Sequence, residues 1–214
     1  MDAALRQLND ELDTATQRLI DEARLMTGSD LRAPSLLPGW SRAHVLAHLA
    51  HDADAMRHLL IGARGGQDRL AYASPEARNA DIGNSAAAEA KELVDDLASS
   101  AMAFRAVALQ LPDKAWRYQV RLLESPRFPA SQLLIRRLAE VELHHCDLGI
   151  GYSHHQWSAA FAAMELDEPL RSQRAERLGY IQPESVRARS MARKIPPYQP
   201  SRPLPGSWIG RGQA

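Results

Sequence analysis

The sequence predicts an all-α fold: a helical bundle followed by an irregular, basic C-terminal extension. Three observations support this prediction. Four long segments place apolar residues at helical spacing, residues typical of helix termini flank these segments, and no segment shows a strong alternation of β-branched and polar residues. With 214 residues, 45% of them hydrophobic, the chain is large enough for one domain with a substantial core.

The first two predicted helices lie on either side of the segment LLPGW. The first covers about residues 2–26, where leucines recur on one face. The second begins after Ser41 and extends to about Gly62. Serine is favoured at this position because its hydroxyl accepts a hydrogen bond from an N–H group of the first helical turn.

The third and fourth predicted helices have equally clear ends. The third covers about residues 85–111 and ends before Pro112, which cannot continue a helix. The fourth begins near residues 129–131 and ends at Gly149, in keeping with the preference for proline at helix starts and glycine after helix ends.

A weaker helix is predicted over about residues 157–178. Residues 116–122 are the nearest candidate for a strand and fit a loop equally well. Four long amphipathic helices joined by loops favour a bundle.

Composition and charge exclude several classes of protein. Lys+Arg and Asp+Glu both number 26, so no overall field favours nucleic acid or an anionic membrane. No apolar run approaches the roughly 20 residues that span a bilayer, and the first residues do not form a secretory signal or transit peptide. Cys146 is the only cysteine, which fits a reducing compartment. We therefore expect a cytoplasmic protein that binds neither nucleic acid nor membranes.

The C-terminal part of the chain differs in charge from the rest. From residue 170 onward there are nine Lys or Arg residues and two Glu, so the preceding residues are acidic overall. The last twenty residues are rich in proline and glycine, which is incompatible with a regular helix. We therefore predict a metal-binding helical bundle over residues 1–156, and over residues 157–214 a helix with a basic, partly disordered tail.

Helices two and four carry side chains that commonly bind metal ions. At about 100° per residue, His48 and Asp52 border the apolar face of helix two. On helix four, Glu140 and His144 are one turn apart and share a face, about 6 Å apart along the axis. His145 lies near the apolar face of the same helix but does not share the face of Glu140.

A metal site would explain a carboxylate beside the core. Burying a charged Glu140 costs several kcal/mol unless the charge is paired or coordinated. A divalent ion bound by His48, Glu140 and His144 would satisfy it, and two histidines with one carboxylate are typical of zinc sites that retain an open position for chemistry. Iron, nickel or cobalt would also accept these ligands. The simpler alternatives are ordinary hydrogen-bonded histidines and a Glu–His pair that stabilises the helix by a few tenths of a kcal/mol.

Two segments carry a resemblance to a known family: LLPGWSRAHVLAHLAHDADAMRHLL and RRLAEVELHHCDLGIGY. They resemble the mycothiol-dependent maleylpyruvate isomerases and their relatives in the DinB/YfiT-like metalloenzyme superfamily, over about residues 1–160. The resemblance implies an antiparallel four-helix bundle with a zinc ion at one end, bound by His48, Glu140 and His144. It also implies mycothiol or a similar thiol as cofactor and the conversion of maleylpyruvate to fumarylpyruvate.

This chemistry suggests roles for several residues. A thiolate adds to the double bond, allows rotation and then leaves, and a bound metal makes the thiolate available at neutral pH. Cys146 points away from the predicted ligand face, so the thiol would belong to the cofactor. Arg137 is a candidate to bind a substrate carboxylate through two hydrogen bonds. Asp52 or Asp147 is a candidate to orient a ligand imidazole.

Other functions remain open from the sequence. Family members continue after the bundle with a smaller α/β domain, and residues 160–214 show no such pattern. A thiol S-transferase of the same superfamily, a non-catalytic metal-binding bundle and a metal-free structural bundle are the alternatives. For the enzyme we expect a small-molecule substrate, and a homodimer is compatible with a bundle of this kind.

Overall fold

The computed structural model describes residues 1–123 and 125–179, and most of these residues are helical. The helices in this part of the chain are α1 (Ala3–Arg24), α2 (Gly28–Arg32), α3 (Arg42–Gly65), α4 (Pro75–Ser85), α5 (Ala90–Leu109), α6 (Gln132–Asp147), α7 (Ala159–Ala163) and α8 (Leu170–Arg177). Short 3-10 turns cover Asp113–Arg117 and His154–Gln156. Two-residue strands, β1 (Gln119–Val120) and β2 (Phe128–Pro129), pair antiparallel.

The four long helices form the core through contacts between neighbouring pairs. Helix α1 packs against α5 and α6, and α3 packs against the same two helices and against α4. Helix α3 contributes more buried residues than any other described helix, and alanines at many of its positions allow neighbouring helices to approach it from several sides. The predicted all-α fold is confirmed, whereas the antiparallel order of the four helices stays a prediction.

The start of α3 is confirmed as the sequence predicts it. Ser41 is the N-cap, and its hydroxyl accepts a hydrogen bond from the backbone N–H of His44. The His44 side chain in turn accepts a hydrogen bond from the backbone N–H of Ser41, which completes a capping box. This cap fixes the residue at which the helix begins and therefore the direction in which His48, about two turns later, points.

The structure contains one helix that the sequence does not predict, divides one predicted helix, and decides the open choice between strand and loop at residues 116–122. Helix α4 was not predicted, although Ser74 and Pro75 are typical of a helix start; the helix is mostly polar and shows little apolar periodicity. The weak helix over 157–178 is two short helices, and Pro169 immediately precedes the second of them because proline lacks the N–H that a helix interior needs. In the candidate strand 116–122, only Gln119–Val120 pairs as a strand.

Two further predictions concern membrane-spanning helices and the C-terminal tail. No helix in the described ranges is long and apolar enough to cross a membrane. The predicted irregular tail from residue 180 onward lies outside the described residues, so the boundary between bundle and tail stays a prediction.

The end of α6 depends on a glycine, which gives a test of the fold. Gly149 has φ +64°, and a Cβ there would meet the Leu36 side chain at 3.2 Å. We expect Gly149→Ala to lower the free energy of unfolding by about 1–2 kcal/mol, since left-handed backbone is costly for other residues. Gly66→Ala is the matched control, because Gly66 has the same φ and nothing within 4 Å. Urea unfolding should show the larger loss for Gly149→Ala, and equal losses would contradict a role for the Leu36 contact.

Candidate metal centre

Three side chains from two helices converge on one point. His48 extends from α3, and Glu140 and His144 extend from α6. The Nε2 atom of His48 lies 3.1 Å from both Glu140 Oε2 and His144 Nε2, and His144 Nε2 lies 3.1 Å from Glu140 Oε2. These three residues also form the only group of histidine, cysteine or acidic side chains with metal-binding geometry within residues 1–123 and 125–179.

Hydrogen bonds between the start of α3 and the end of α6 hold the two helices at this distance. The Arg42 side chain donates from Nε to the carbonyl of Leu148 at 2.7 Å, and the backbone N–H of Leu36 donates to the carbonyl of Asp147 at 2.8 Å. Trp40 packs its ring edge-on against the His48 imidazole, with centroids 5.6 Å apart. Trp40 therefore covers one side of His48, and Leu36 and Arg42 join the two helix ends.

His144 is oriented for binding through Nε2. Its Nδ1 lies 2.9 Å from Asp147 Oδ2, and a carboxylate accepts, so the Nδ1–H donates and Nε2 is the ring nitrogen that faces Glu140 and His48. Asp147 also accepts a hydrogen bond from Arg177 on α8, at 2.6 Å. A carboxylate behind a histidine is the usual arrangement for metal-binding imidazoles. This contact agrees with the hypothesis that Asp147 orients a ligand imidazole.

His48 has a different neighbour from the one that we expected. Its Nδ1 accepts a hydrogen bond from Nη2 of Arg78, on α4, at 2.9 Å. Asp52 instead accepts a hydrogen bond from Arg137 Nη1 at 2.9 Å. Arg137 is only 1% exposed, so in this arrangement it joins α3 to α6 inside the core and is not accessible to a dissolved substrate. The catalytic roles suggested for Asp52 and Arg137 stay predictions, and they require this buried pair to open.

The pKa values of the three candidate ligands are shifted in different ways by their surroundings. Burial, outweighing the hydrogen bond to Glu140, lowers the pKa of His48 to about 3. Burial alone would also lower the pKa of His144, but hydrogen bonds to Asp147 and Glu140 raise it to about 9. Burial would raise the pKa of Glu140, yet the hydrogen bonds from both histidines hold that pKa well below its usual range. At neutral pH Glu140 is thus an anion, His144 is a protonated imidazole that pairs with it, and His48 is neutral.

The donor atoms fit a zinc ion. Zinc–nitrogen and zinc–oxygen bonds of about 2.0–2.1 Å place neighbouring ligand atoms of a tetrahedron about 3.3 Å apart, close to the three distances of 3.1 Å. Two imidazole nitrogens and one carboxylate oxygen are donors that zinc accepts, and three protein ligands leave a fourth position for water or substrate. The cluster is also reachable, since the Glu140 side chain is 23% exposed.

A second polar cluster lies between α6 and α1, away from the three candidate ligands. His145 Nε2 lies 3.0 Å from Glu22 Oε2, and its ring stacks on Tyr152 with centroids 3.7 Å apart. The Tyr152 hydroxyl donates to Glu142 and accepts from Arg18. Periodicity alone left the role of His145 open, and these contacts place it in the packing of α6 on α1.

Two residues next to the candidate centre escaped the sequence analysis. Arg78 lies on the unpredicted helix α4, and Arg177 lies on α8, which the weak helix prediction included without a role. Both are far in sequence from the residues they contact, and arginine on a polar helix is usually a solvated residue. No local pattern would have identified either of them.

Comparison with known proteins agrees with this architecture. Residues 12–149 match the sequence model of the mycothiol maleylpyruvate isomerase N-terminal domain. The chain belongs to this family. The matched range contains all three residues of the cluster, which lie in α3 and α6.

Two solved structures are similar to this member of the mycothiol maleylpyruvate isomerase N-terminal family. One is the mycothiol-dependent maleylpyruvate isomerase, with a TM-score of 0.71 and 27% sequence identity. The other is a histidine-to-alanine mutant of such an isomerase, with the same TM-score and 26% identity. Both alignments cover 73% of this chain and 65% of the other chain, so this chain matches just under two thirds of the solved structures. No protein of curated function matches.

The buried pair of Asp52 and Arg137 leads to a stability prediction. Arg137→Ala leaves Asp52, 6% exposed, without its cation, so we expect the free energy of unfolding to fall by about 3–5 kcal/mol at pH 8. Burial and then the charge of Glu140 already raise the pKa of Asp52 to about 6. A raised carboxyl pKa favours the folded state at low pH, so the loss should be smaller at pH 5, where Asp52 is more protonated.

The control for this prediction is another arginine in an ion pair. Arg105→Ala removes an exposed pair with Asp13, for which we expect a change below about 1 kcal/mol at either pH. Urea unfolding at both pH values measures the effects. A loss for Arg137→Ala that is as small as the loss for Arg105→Ala would show that the buried pair contributes little.

The environment of Cys146 predicts an unreactive thiol. Burial, together with the negative charge of Asp147, raises the pKa of Cys146 to about 12, and the residue is 6% exposed. Because the thiolate is the reactive form, we expect labelling by an aromatic disulfide reagent at pH 8 to be about a thousandfold slower in the native protein than in guanidinium. Cys146→Ala should show no labelling in either state. Rapid labelling of one thiol per native chain would contradict this prediction.

Proposed function

We propose that this protein is a metal-dependent isomerase that uses a low-molecular-weight thiol, with His48, Glu140 and His144 as metal ligands and zinc as the metal. The convergence of their three donor atoms within 3.1 Å of one another is the observation that carries the proposal. Two imidazole Nε2 atoms face one carboxylate oxygen, so one cation bound between them would satisfy all three groups.

We further propose that the substrate is maleylpyruvate or a similar unsaturated acid, and that the thiol is mycothiol or a similar compound. The support is membership of the mycothiol maleylpyruvate isomerase N-terminal family and the likeness to a solved mycothiol-dependent maleylpyruvate isomerase. A thiol from outside the chain is needed, because Cys146 is buried and its pKa is raised to about 12.

The reaction that we propose proceeds by reversible addition. The thiolate sulfur forms a bond to one carbon of the double bond, and the electron pair moves into the conjugated carbonyl group. The remaining carbon–carbon single bond rotates. The electron pair then returns to form the double bond in the other geometry and the thiolate leaves, so no atom is gained or lost.

The protein residues prepare the site for this reaction. A bound zinc ion would supply positive charge that lowers the pKa of a thiol and makes its thiolate available. Asp147 keeps the His144 proton on Nδ1, so Nε2 is free to bind. Glu140 adds one negative charge to the ligand set, and Trp40 shields the His48 ring from water on one side.

Two alternatives share the metal site and differ in chemistry. A thiol S-transferase would form a lasting bond between the thiol and an electrophile, and a non-catalytic bundle would bind the metal without turnover. The chain matches 65% of the solved isomerase, so the activity of that protein comes to this chain only as a proposal. A cytoplasmic location and a homodimer also remain proposals.

Metal removal and ligand substitution test the proposed function. The protein purified without chelator should contain about one zinc ion per chain by elemental analysis. His48→Ala and His144→Ala should each weaken zinc binding by more than about a hundredfold, because each removes one of three ligands. The matched control is His58→Ala, since His58 is an exposed histidine of the same helix as His48 and should leave zinc binding unchanged.

Activity separates the proposed isomerase from its alternatives. With mycothiol, the zinc-loaded protein should convert maleylpyruvate to fumarylpyruvate, a chelator should abolish the rate, and added zinc should restore it. Zinc binding with conjugation of the thiol to an electrophile, but no isomerisation, would favour the S-transferase. Zinc binding with neither reaction would favour the non-catalytic bundle, and the absence of zinc binding would contradict the proposal altogether.

A further inference from the structure

Arginine side chains surround the candidate metal centre, and one of them differs from the others. Three bind carboxylates of the protein itself: Arg137 binds Asp52, Arg177 binds Asp147, and Arg136 lies 3.6 Å from Asp167. The fourth, Arg78, forms no ion pair with any residue that the structure describes. Its Nη2 atom donates to Nδ1 of His48 at 2.9 Å, so its guanidinium lies directly behind one of the proposed ligands.

The other neighbours of Arg78 include Tyr72, with which it is hydrogen-bonded, and none of them forms an ion pair with it in the described part of the chain. Its Nη1 atom donates to the Asn79 side chain at 3.2 Å, and its guanidinium lies 5.6 Å from the centre of the Tyr72 ring. Burial, followed by the charge of Asp52, raises the pKa of Tyr72, so the phenol remains uncharged. Arg78 is only partly exposed. Asp52 is close enough for its charge to interact with that of Arg78, but Asp52 is hydrogen-bonded to Arg137. A partly buried cation that has no ion pair of its own favours a ligand that brings a negative charge.

We propose that Arg78 binds a carboxylate of the substrate beside the metal ligands, so that the site selects unsaturated acids over uncharged electrophiles. This inference rests on the proposed function and extends it to the class of substrate. A guanidinium binds a carboxylate through two parallel hydrogen bonds, which fixes the orientation of the ligand as well as its charge.

The hydrogen bond to His48 explains how Arg78 becomes available. A neutral imidazole has one N–H group, and Nδ1 accepts from Arg78, so the proton is on Nε2. Binding a metal through Nε2 requires the lone pair of that atom and moves the N–H to Nδ1, where it would face the N–H of Arg78. A bound metal would therefore remove this hydrogen bond, and the guanidinium of Arg78 would then be available to a carboxylate.

Arg78→Ala tests both parts of this inference. Zinc affinity is measured by competition with a chromogenic chelator, and binding of maleate to the zinc-loaded protein is measured by calorimetry without any thiol. Loss of a charge-assisted bidentate contact should weaken maleate binding at least tenfold. Zinc affinity should be equal to that of the wild type or up to about tenfold higher, since one competing hydrogen bond is removed.

Two further variants sharpen the test. Arg78→Lys keeps the charge but not the two parallel donors, so its maleate affinity should lie between those of the wild type and Arg78→Ala. Arg105→Ala is the control for removing an arginine elsewhere, since Arg105 pairs with Asp13 on an exposed surface and should change neither affinity. Urea unfolding checks that each variant is folded at the temperature of the measurement.

Several results would overturn the inference. Equal maleate affinity in the wild type and Arg78→Ala, or no maleate binding by the zinc-loaded wild type, contradicts the role of Arg78 and leaves the metal site intact. A folded Arg78→Ala protein that binds zinc more weakly than the wild type shows that Arg78 supports His48 and does not compete with the metal. A wild type that binds no zinc contradicts this inference together with the proposed function.

Discussion

The candidate site depends on the contact between the start of α3 and the end of α6. Each helix alone carries only part of the cluster: α3 contributes His48, and α6 contributes Glu140 and His144. The Ser41 cap sets where α3 begins, and the hydrogen bond from Arg42 to the last turn of α6 sets how closely the helices approach. A shift of one residue along α3 would rotate the position of His48 by about 100° around the helix axis, and the same shift along α6 would rotate Glu140 and His144. Either shift would separate His48 from its partners.

Charged side chains near the candidate site form ion pairs that connect helices. Asp52 and Arg137 connect α3 to α6 in the core, and Asp147 and Arg177 connect α6 to α8. Such buried pairs add little net stability compared with apolar packing, but breaking one of them is costly. They therefore favour a single relative placement of the helices. Arg78 lacks a partner of this kind in the described part of the chain, which is why we assign it to a ligand.

Helix α8 follows the region that matches the family and packs next to the candidate site. The solved isomerases extend well beyond the matched region, while in this chain α8 packs on α6 and Arg177 contacts the carboxylate behind His144. The residues that follow the bundle thus affect the candidate site through Asp147. In our proposal Arg78, a residue of the bundle, binds the substrate, so acids and uncharged electrophiles are the substrates to compare.

The sequence by itself determined the all-α class, the Ser41 cap, the end of α6 and the pairing of Glu140 with His144, because each follows from local spacing along one helix. Adding His48 required the faces of two helices to be considered together, and the family resemblance implied the same three residues. Only the tertiary structure decided that Asp52 binds Arg137, that Arg78 reaches His48, and that Arg177 reaches Asp147. Those contacts join residues 30 to 85 positions apart, and no helical period connects positions on different helices; their meeting is fixed by packing in three dimensions.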